Sequence, residues 1–142
     1  KDGLHFTSGF YRKDKKAKPV QLTNEWCNTH EMMLPPFGHL ENCNGNHYTI
    51  QLSTYARMVE MILNIPCYGL GLCHIQTPFV KNQYGMPLRD KRGMYEIDKN
   101  GKEVVTWYHI KYIRNEIDAM FQDRRIYLNS KGLLNKQTEI QW

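Results

Sequence analysis

Apolar residues at positions 48, 52, 55, 59 and 62 recur at steps of three and four, so residues 48–64 are predicted to form an amphipathic helix with Leu52 and Val59 turned into a core. Asn46 is placed as its N-cap. Ile110, Ile113, Ile117, Met120 and Phe121 repeat the spacing and predict a second helix to about Arg125, opened by His109 and carrying Lys111, Arg114 and Arg124 on its outer side. Between them, residues 68–75 form a nearly continuous apolar run with two glycines, which reads as a buried central strand holding Cys73 and His74. Met94-Tyr95-Glu96-Ile97 and Glu103-Val104-Val105-Thr106-Trp107 flank Asp98-Lys99-Asn100-Gly101, whose Asn-Gly pair predicts a tight β-hairpin. Nearer the N-terminus, Thr23 or Asn24 followed by Glu25 reads as the start of a short helix over residues 23–30, and Pro35-Pro36 with Gly38 as a loop. Residues 82–85 and 90–93 are turn-rich, and the pattern fades beyond Tyr127. Residues 1–128 are therefore taken as one domain and 129–142 as a tail, with no internal repeat or low-complexity segment.

The first helix begins with Gln51-Leu52-Ser53-Thr54-Tyr55, and residues four apart stand one turn above each other, so the Gln51 amide and the Tyr55 hydroxyl share a face. This pentapeptide resembles the QhXXY motif of RecB-type nucleases in the PD-(D/E)XK superfamily. Residues 32–40 are similar to the proline-containing loop ahead of that helix in phage-encoded members, and the turn and strand after it follow the same order. The resemblance implies an α+β fold of the restriction-endonuclease-like α/β kind: a mixed central sheet flanked by helices, with a C-terminal β-hairpin and amphipathic helix. It implies cleavage of DNA in phage-type recombination, repair or processing, with Mg²⁺ or Mn²⁺ as cofactor. Gln51 and Tyr55 would then be the catalytic residues of this chain, acting on the metal's outer shell or the phosphate.

The family's acidic strands precede this helix, and residues 1–47 do not supply them: Glu25-Trp26-Cys27 lacks a lysine and Asp14-Lys15-Lys16 sits in a charge run. The chain is accordingly read as the C-terminal half of such a nuclease. The absent initiator methionine fits a fragment or a processed product, and the metal would be held by the missing half or by another subunit.

The net charge of +5 and pI near 9.0 favour a polyanionic partner. The run Arg12-Lys13-Asp14-Lys15-Lys16-Ala17-Lys18 places five cations in seven residues. Lys13, Lys15, Lys16, Arg57, Arg89 and Arg92 are the candidate nucleic-acid contacts. No apolar stretch is long enough for a membrane span and Lys1-Asp2-Gly3 does not open a signal peptide, so a cytoplasmic location is expected, the host cytoplasm for a phage protein. Four scattered cysteines, at 27, 43, 67 and 73, lack the density of a disulfide scaffold and are expected to be reduced.

A second constellation is Cys27 with His30 and Cys43 with His47, four ligand types suited to tetrahedral zinc. It gives the alternative of a small zinc-stabilised interaction domain. A further alternative is a non-catalytic nucleic-acid-binding or virion structural protein on a nuclease-like scaffold. The P-loop, dinucleotide-binding and GxSxG patterns are absent, which removes the common nucleotide-binding and hydrolase classes.

Overall fold

In the computed structural model, which describes residues 4–134, the chain is an α+β protein with two helices and two separate two-stranded antiparallel sheets. Strands β1 (Gly9–Asp14) and β2 (Gln21–Asn28) form the first sheet, and helix α1 (Asn44–Leu63) follows. Strands β3 (Leu70–Gln76) and β4 (Val104–Ile110) form the second sheet, and helix α2 (Arg114–Ser130) follows. The mixed central sheet expected from the sequence is not formed by the described residues.

β2 occupies the segment read as a short helix. Its cap-like residues are spent across the hairpin: Thr23 Oγ1 donates to the Arg12 carbonyl at 3.0 Å and Glu25 pairs with Arg12 at 3.0 Å. Side chains that favour a helix start serve equally well as cross-strand partners, and the Gly9↔Asn28 to Asp14↔Gln21 ladder takes precedence. Below the hairpin, Ser8 is buried and fixed by Glu41, whose carboxylate accepts from the Ser8 amide at 2.6 Å. That amide holds the Glu41 pKa below its ordinary value.

The predicted pairing of residues 94–97 with 103–107 does not occur. β4 instead pairs with β3 in unbroken register from Leu70↔Ile110 to Gln76↔Val104. Seven paired positions outweigh one favourable turn dipeptide. His109 consequently lies in β4, not at a helix start. Alternation along β3 leaves Cys73 exposed, so this strand is covered on one face only.

The intervening residues 77–103 contain a repeat that the sequence reading missed. Residues 78–85, 86–93 and 94–101 each carry Asn or Asp at the fifth position and Gly at the eighth. In each unit the glycine amide donates to the carbonyl of that Asn or Asp: Gly85 to Asn82, Gly93 to Asp90 and Gly101 to Asp98. The side chains of Asn82, Asp90 and Asp98 also accept backbone amides two residues on, forming Asx turns. Gly85 and Gly93 have φ of 74° and 80°, which L side chains rarely adopt. The third backbone position closes a ring: Leu88 N donates to Val80 O, Glu96 N to Leu88 O, and Val80 N to Glu96 O. These three turns make a compact knob stabilised mainly through its backbone.

α1 begins four residues earlier than predicted, after Cys43, and Asn46 is an internal buried residue whose Nδ2 donates to the Glu41 carbonyl at 2.9 Å. At Gly45 the helix meets residue His5 so closely that a Cβ would strike the His5 carbonyl oxygen. Asn64 adopts the left-handed conformation that ends the helix, and Pro66 lies just beyond. α2 starts four residues after Ile110 and extends to Ser130, five beyond the expected end. Residues 135–142 of the expected tail lie outside the described residues. Ile110, Ile113 and Ile117 form the apolar centre, packed beside α1. Among the described residues no helix is long and apolar enough to cross a membrane.

Candidate functional site

The side of α1 that packs inward is made of Gly45, Asn46, Thr49, Ser53, Ala56 and Glu60. These recur at helical spacing but are small or polar, so α2 and the Ile113 turn approach closely. Ser53 is completely buried, and its hydroxyl accepts the Ile113 amide at 3.3 Å, satisfying a donor at the start of α2. The expectation that Leu52 and Val59 enter the core is overturned: Leu52 is half-buried and Val59 is exposed. Periodicity groups residues by face, and the larger apolar set lies on the wrong side for this chain's own core.

On that opposite side Gln51 and Tyr55 project together. Gln51 Nε2 donates to the Tyr55 hydroxyl oxygen at 2.9 Å, and both side chains are exposed. The Tyr55 proton is left to be donated outward, and the Gln51 carbonyl oxygen to accept. Met58, Val59 and Ile62 continue the face, Ile62 with 75% of its surface open. One turn before Gln51, His47 Nε2 lies 2.9 Å from Asn42 Oδ1. Asn42, Cys43, Asn44, His47, Tyr48 and Gln51 line an open cleft of about 420 Å³. His47, Gln51 and Tyr55 thus form one row at i, i+4 and i+8. The sequence places His47 as a zinc ligand at the entry to the helix, and the same spacing sets it in line with the motif.

Arg57, one of the candidate nucleic-acid contacts, is engaged within the chain. Its Nε meets Asp118 Oδ1 at 2.6 Å and its Nη1 lies 3.5 Å from Glu60, tying α1 to α2. Asp118 raises the Arg57 pKa, consistent with a firmly charged tie. Glu60 is the centre of this junction: it accepts the Cys67 amide at 2.9 Å and the Tyr112 hydroxyl at 2.7 Å, with Arg114 at 3.5 Å. The Cys67 amide first, then Tyr112, lowers the Glu60 pKa. Burial, then Glu60, pushes Tyr112 up to about 12.

Arg89 is also engaged internally. Its guanidinium lies 4.2 Å from the Tyr95 ring centroid and donates to the Gly93 carbonyl and the Tyr95 hydroxyl at 3.1 and 2.7 Å. Lys13, Lys15, Lys16 and Arg92 remain exposed.

The zinc constellation is not assembled. Cys27 lies in β2 opposite Phe10, Cys43 precedes α1, His30 faces Glu41 at 3.4 Å and His47 faces Asn42. Among the described residues no group of three or more His, Cys, Asp or Glu side chains converges as a metal site. All four cysteines are free thiols. Gln51 and Tyr55, a neutral amide and a phenol, fit an outer shell around a hard cation and do not make a primary site for one.

The outer face of the β3–β4 ribbon adds a second apolar surface that the described residues leave uncovered. Cys73 stands opposite Trp107 and Ile75 opposite Val105, with Trp107 73% exposed. Comparison with protein-family models, with curated proteins and with solved structures gives no match for this chain.

Proposed function

We propose that this chain is part of a metal-dependent DNA nuclease of the RecB-type PD-(D/E)XK class, with Gln51 and Tyr55 at the edge of its phosphodiester-cleaving site. The observation that carries the reading is the Gln51–Tyr55 pair, hydrogen-bonded at 2.9 Å and turned away from the chain's own core. In this reading the exposed apolar residues around it, Met58, Val59 and Ile62, pack against the rest of a restriction-endonuclease-like sheet. Mg²⁺ or Mn²⁺ would be held by carboxylates other than those of the described residues, and would supply polarisation of the phosphoryl oxygen and acidification of water. Gln51 offers its carbonyl oxygen to water in the outer shell, and Tyr55 donates its proton toward a phosphate oxygen. DNA is the partner.

The test is cleavage of linear and circular DNA by the chain expressed with the coding sequence upstream of Lys1, in Mg²⁺, Mn²⁺ or EDTA. Metal-dependent cleavage that EDTA abolishes and Gln51→Ala reduces supports the proposal. A folded product that leaves both DNAs intact with either metal sinks it, and favours a non-catalytic nucleic-acid-binding or virion structural role.

A further inference from the structure

The chain's positive charge is concentrated in two places that are distant in sequence. Residues 9–28 hold five basic and two acidic side chains, and residues 78–101 hold five and three; the remaining nine of each sign cancel, so these segments carry the whole net charge of +5. The structure joins them. Asn82 Nδ2 donates to the Leu22 carbonyl at 2.8 Å and the Tyr84 hydroxyl to Asp14 Oδ2 at 3.0 Å, seating the first turn of the knob on the β1–β2 hairpin.

Four of the five acidic residues in these segments are already engaged. Asp14 accepts the Lys16 amide and the Tyr84 hydroxyl, Glu25 pairs with Arg12, and Asp90 and Asp98 accept their own turn amides. Lys13, Lys15, Lys16 and Lys18 on the hairpin, and Lys91, Arg92 and Lys99 at the knob's turns, are exposed and make no ion pair among the described residues. The ring of backbone hydrogen bonds through Val80, Leu88 and Glu96 fixes the spacing of the knob's turns. Of its tyrosines, Tyr84 spends its hydroxyl on Asp14 and Tyr95 packs its ring against Arg89 and Phe79, so the free groups at the turns are mainly cations.

We infer that the hairpin and the knob together form a surface that tracks the phosphate backbone of double-stranded DNA, with Lys15 and Lys16 from one arm and Lys91, Arg92 and Lys99 from the other. The choice of DNA as the polyanion rests on the nuclease reading, but this surface is built entirely outside α1. It anchors the substrate without regard to sequence and contributes affinity rather than chemistry.

The experiment is fluorescence anisotropy of the 142-residue chain with a labelled linear duplex in EDTA, across a salt series. Log affinity should fall with log salt, with a slope of roughly −3 to −5 if four or five phosphates are contacted. Lys15→Gln with Lys16→Gln, and separately Lys91→Gln with Arg92→Gln, should each weaken binding about tenfold and flatten the slope by about 1 to 2. Lys15→Arg with Lys16→Arg should retain affinity. Lys111→Gln with Arg125→Gln, which removes equal charge elsewhere, should change little. Absence of salt-dependent duplex binding, equal loss in the Lys111/Arg125 control, or tighter binding to phosphatidylserine vesicles than to duplex would overturn the inference. The nuclease reading fails separately: duplex binding with the expected slope but no metal-dependent cleavage removes the enzyme and keeps the surface. Cleavage with unchanged affinity in both paired variants does the reverse.

Discussion

On its inward side helix α1 presents Gly45, against His5, and Thr49, Ser53, Ala56 and Glu60, all small or hydrogen-bonded; on its other side it presents Gln51, Tyr55, Met58, Val59 and Ile62, mostly large and open. An ordinary surface helix has these reversed. The inward side is stabilised by close approach and satisfied polar groups, and the outward side holds apolar area that the described residues leave uncovered. The difference separates what keeps this chain folded from what it presents to something else, and substitutions on the two sides should part accordingly.

The largest effect is expected at the inward junction. Glu60→Ala should cost roughly 3 kcal/mol in urea unfolding, because Arg57, Arg114, Tyr112 and the Cys67 amide all lose their common acceptor. Because the Glu60 pKa is lowered on folding, its stabilisation is complete above the ordinary carboxylate range and is lost as pH falls through the lowered value. Glu60→Gln should therefore flatten the acid limb of stability against pH. An unchanged acid limb would show that the junction contributes little. Tyr112 has the opposite sign: raised from 10.0 to about 12, it stabilises below pH 10 and ceases to do so as pH climbs through about 12. Tyr112→Phe should remove that alkaline limb.

On the outward side Gln51→Ala should lower metal-dependent cleavage about 100-fold while leaving urea unfolding within about 0.5 kcal/mol. Comparable loss of stability would place Gln51 among the structural residues and dissolve the contrast. Ser53→Leu tests the inward side by excess volume. At a site with no exposed surface it should destabilise by about 2 kcal/mol, whereas a neutral result would mean that α1 and α2 separate easily. The smallest change is expected for Ile62→Ser, within about 0.5 kcal/mol of the parent in this chain. Its effect should appear instead in cleavage by the longer product, since it removes apolar area that the proposed function packs against the rest of the sheet.

The sequence made both helices legible, because spacings of three and four survive even when the apolar stripe is not the buried one. It could not give α1's orientation, since Ser53 and Glu60 carry no apolar signal and meet their partners Ile113 and Tyr112 only 60 and 52 residues further along the chain. β2 was hidden by Thr23 and Glu25, which read as a helix start. A turn does form at Asp98–Gly101, but it closes no hairpin: neither Asn100 nor Gly101 takes a positive φ, and the flanks pair with Phe79 and β3 rather than with each other. The eight-residue spacing of the knob's three units is faint in the sequence because only two positions per unit are nearly fixed while the others vary freely. At the candidate site, Gln51 and Tyr55 were placed on one face from spacing alone, and their contact at 2.9 Å agrees with that placement. Arg57 and Arg89 could not be told from free cations until Asp118 and Tyr95 were in view.

The knob begins and ends at nearly the same point. Asp98 N donates to the Pro78 carbonyl at 2.9 Å, and a Cβ on Gly101 would lie 2.5 Å from that of Pro78. A segment whose ends coincide is a detour, and it leaves Gln76 and Val104 facing each other as though joined by a short turn. The three turns are thus a removable module set into a β-hairpin. Closing the hairpin directly would shorten the chain without redirecting either strand, and grafting the module into another hairpin would transfer its basic turns intact.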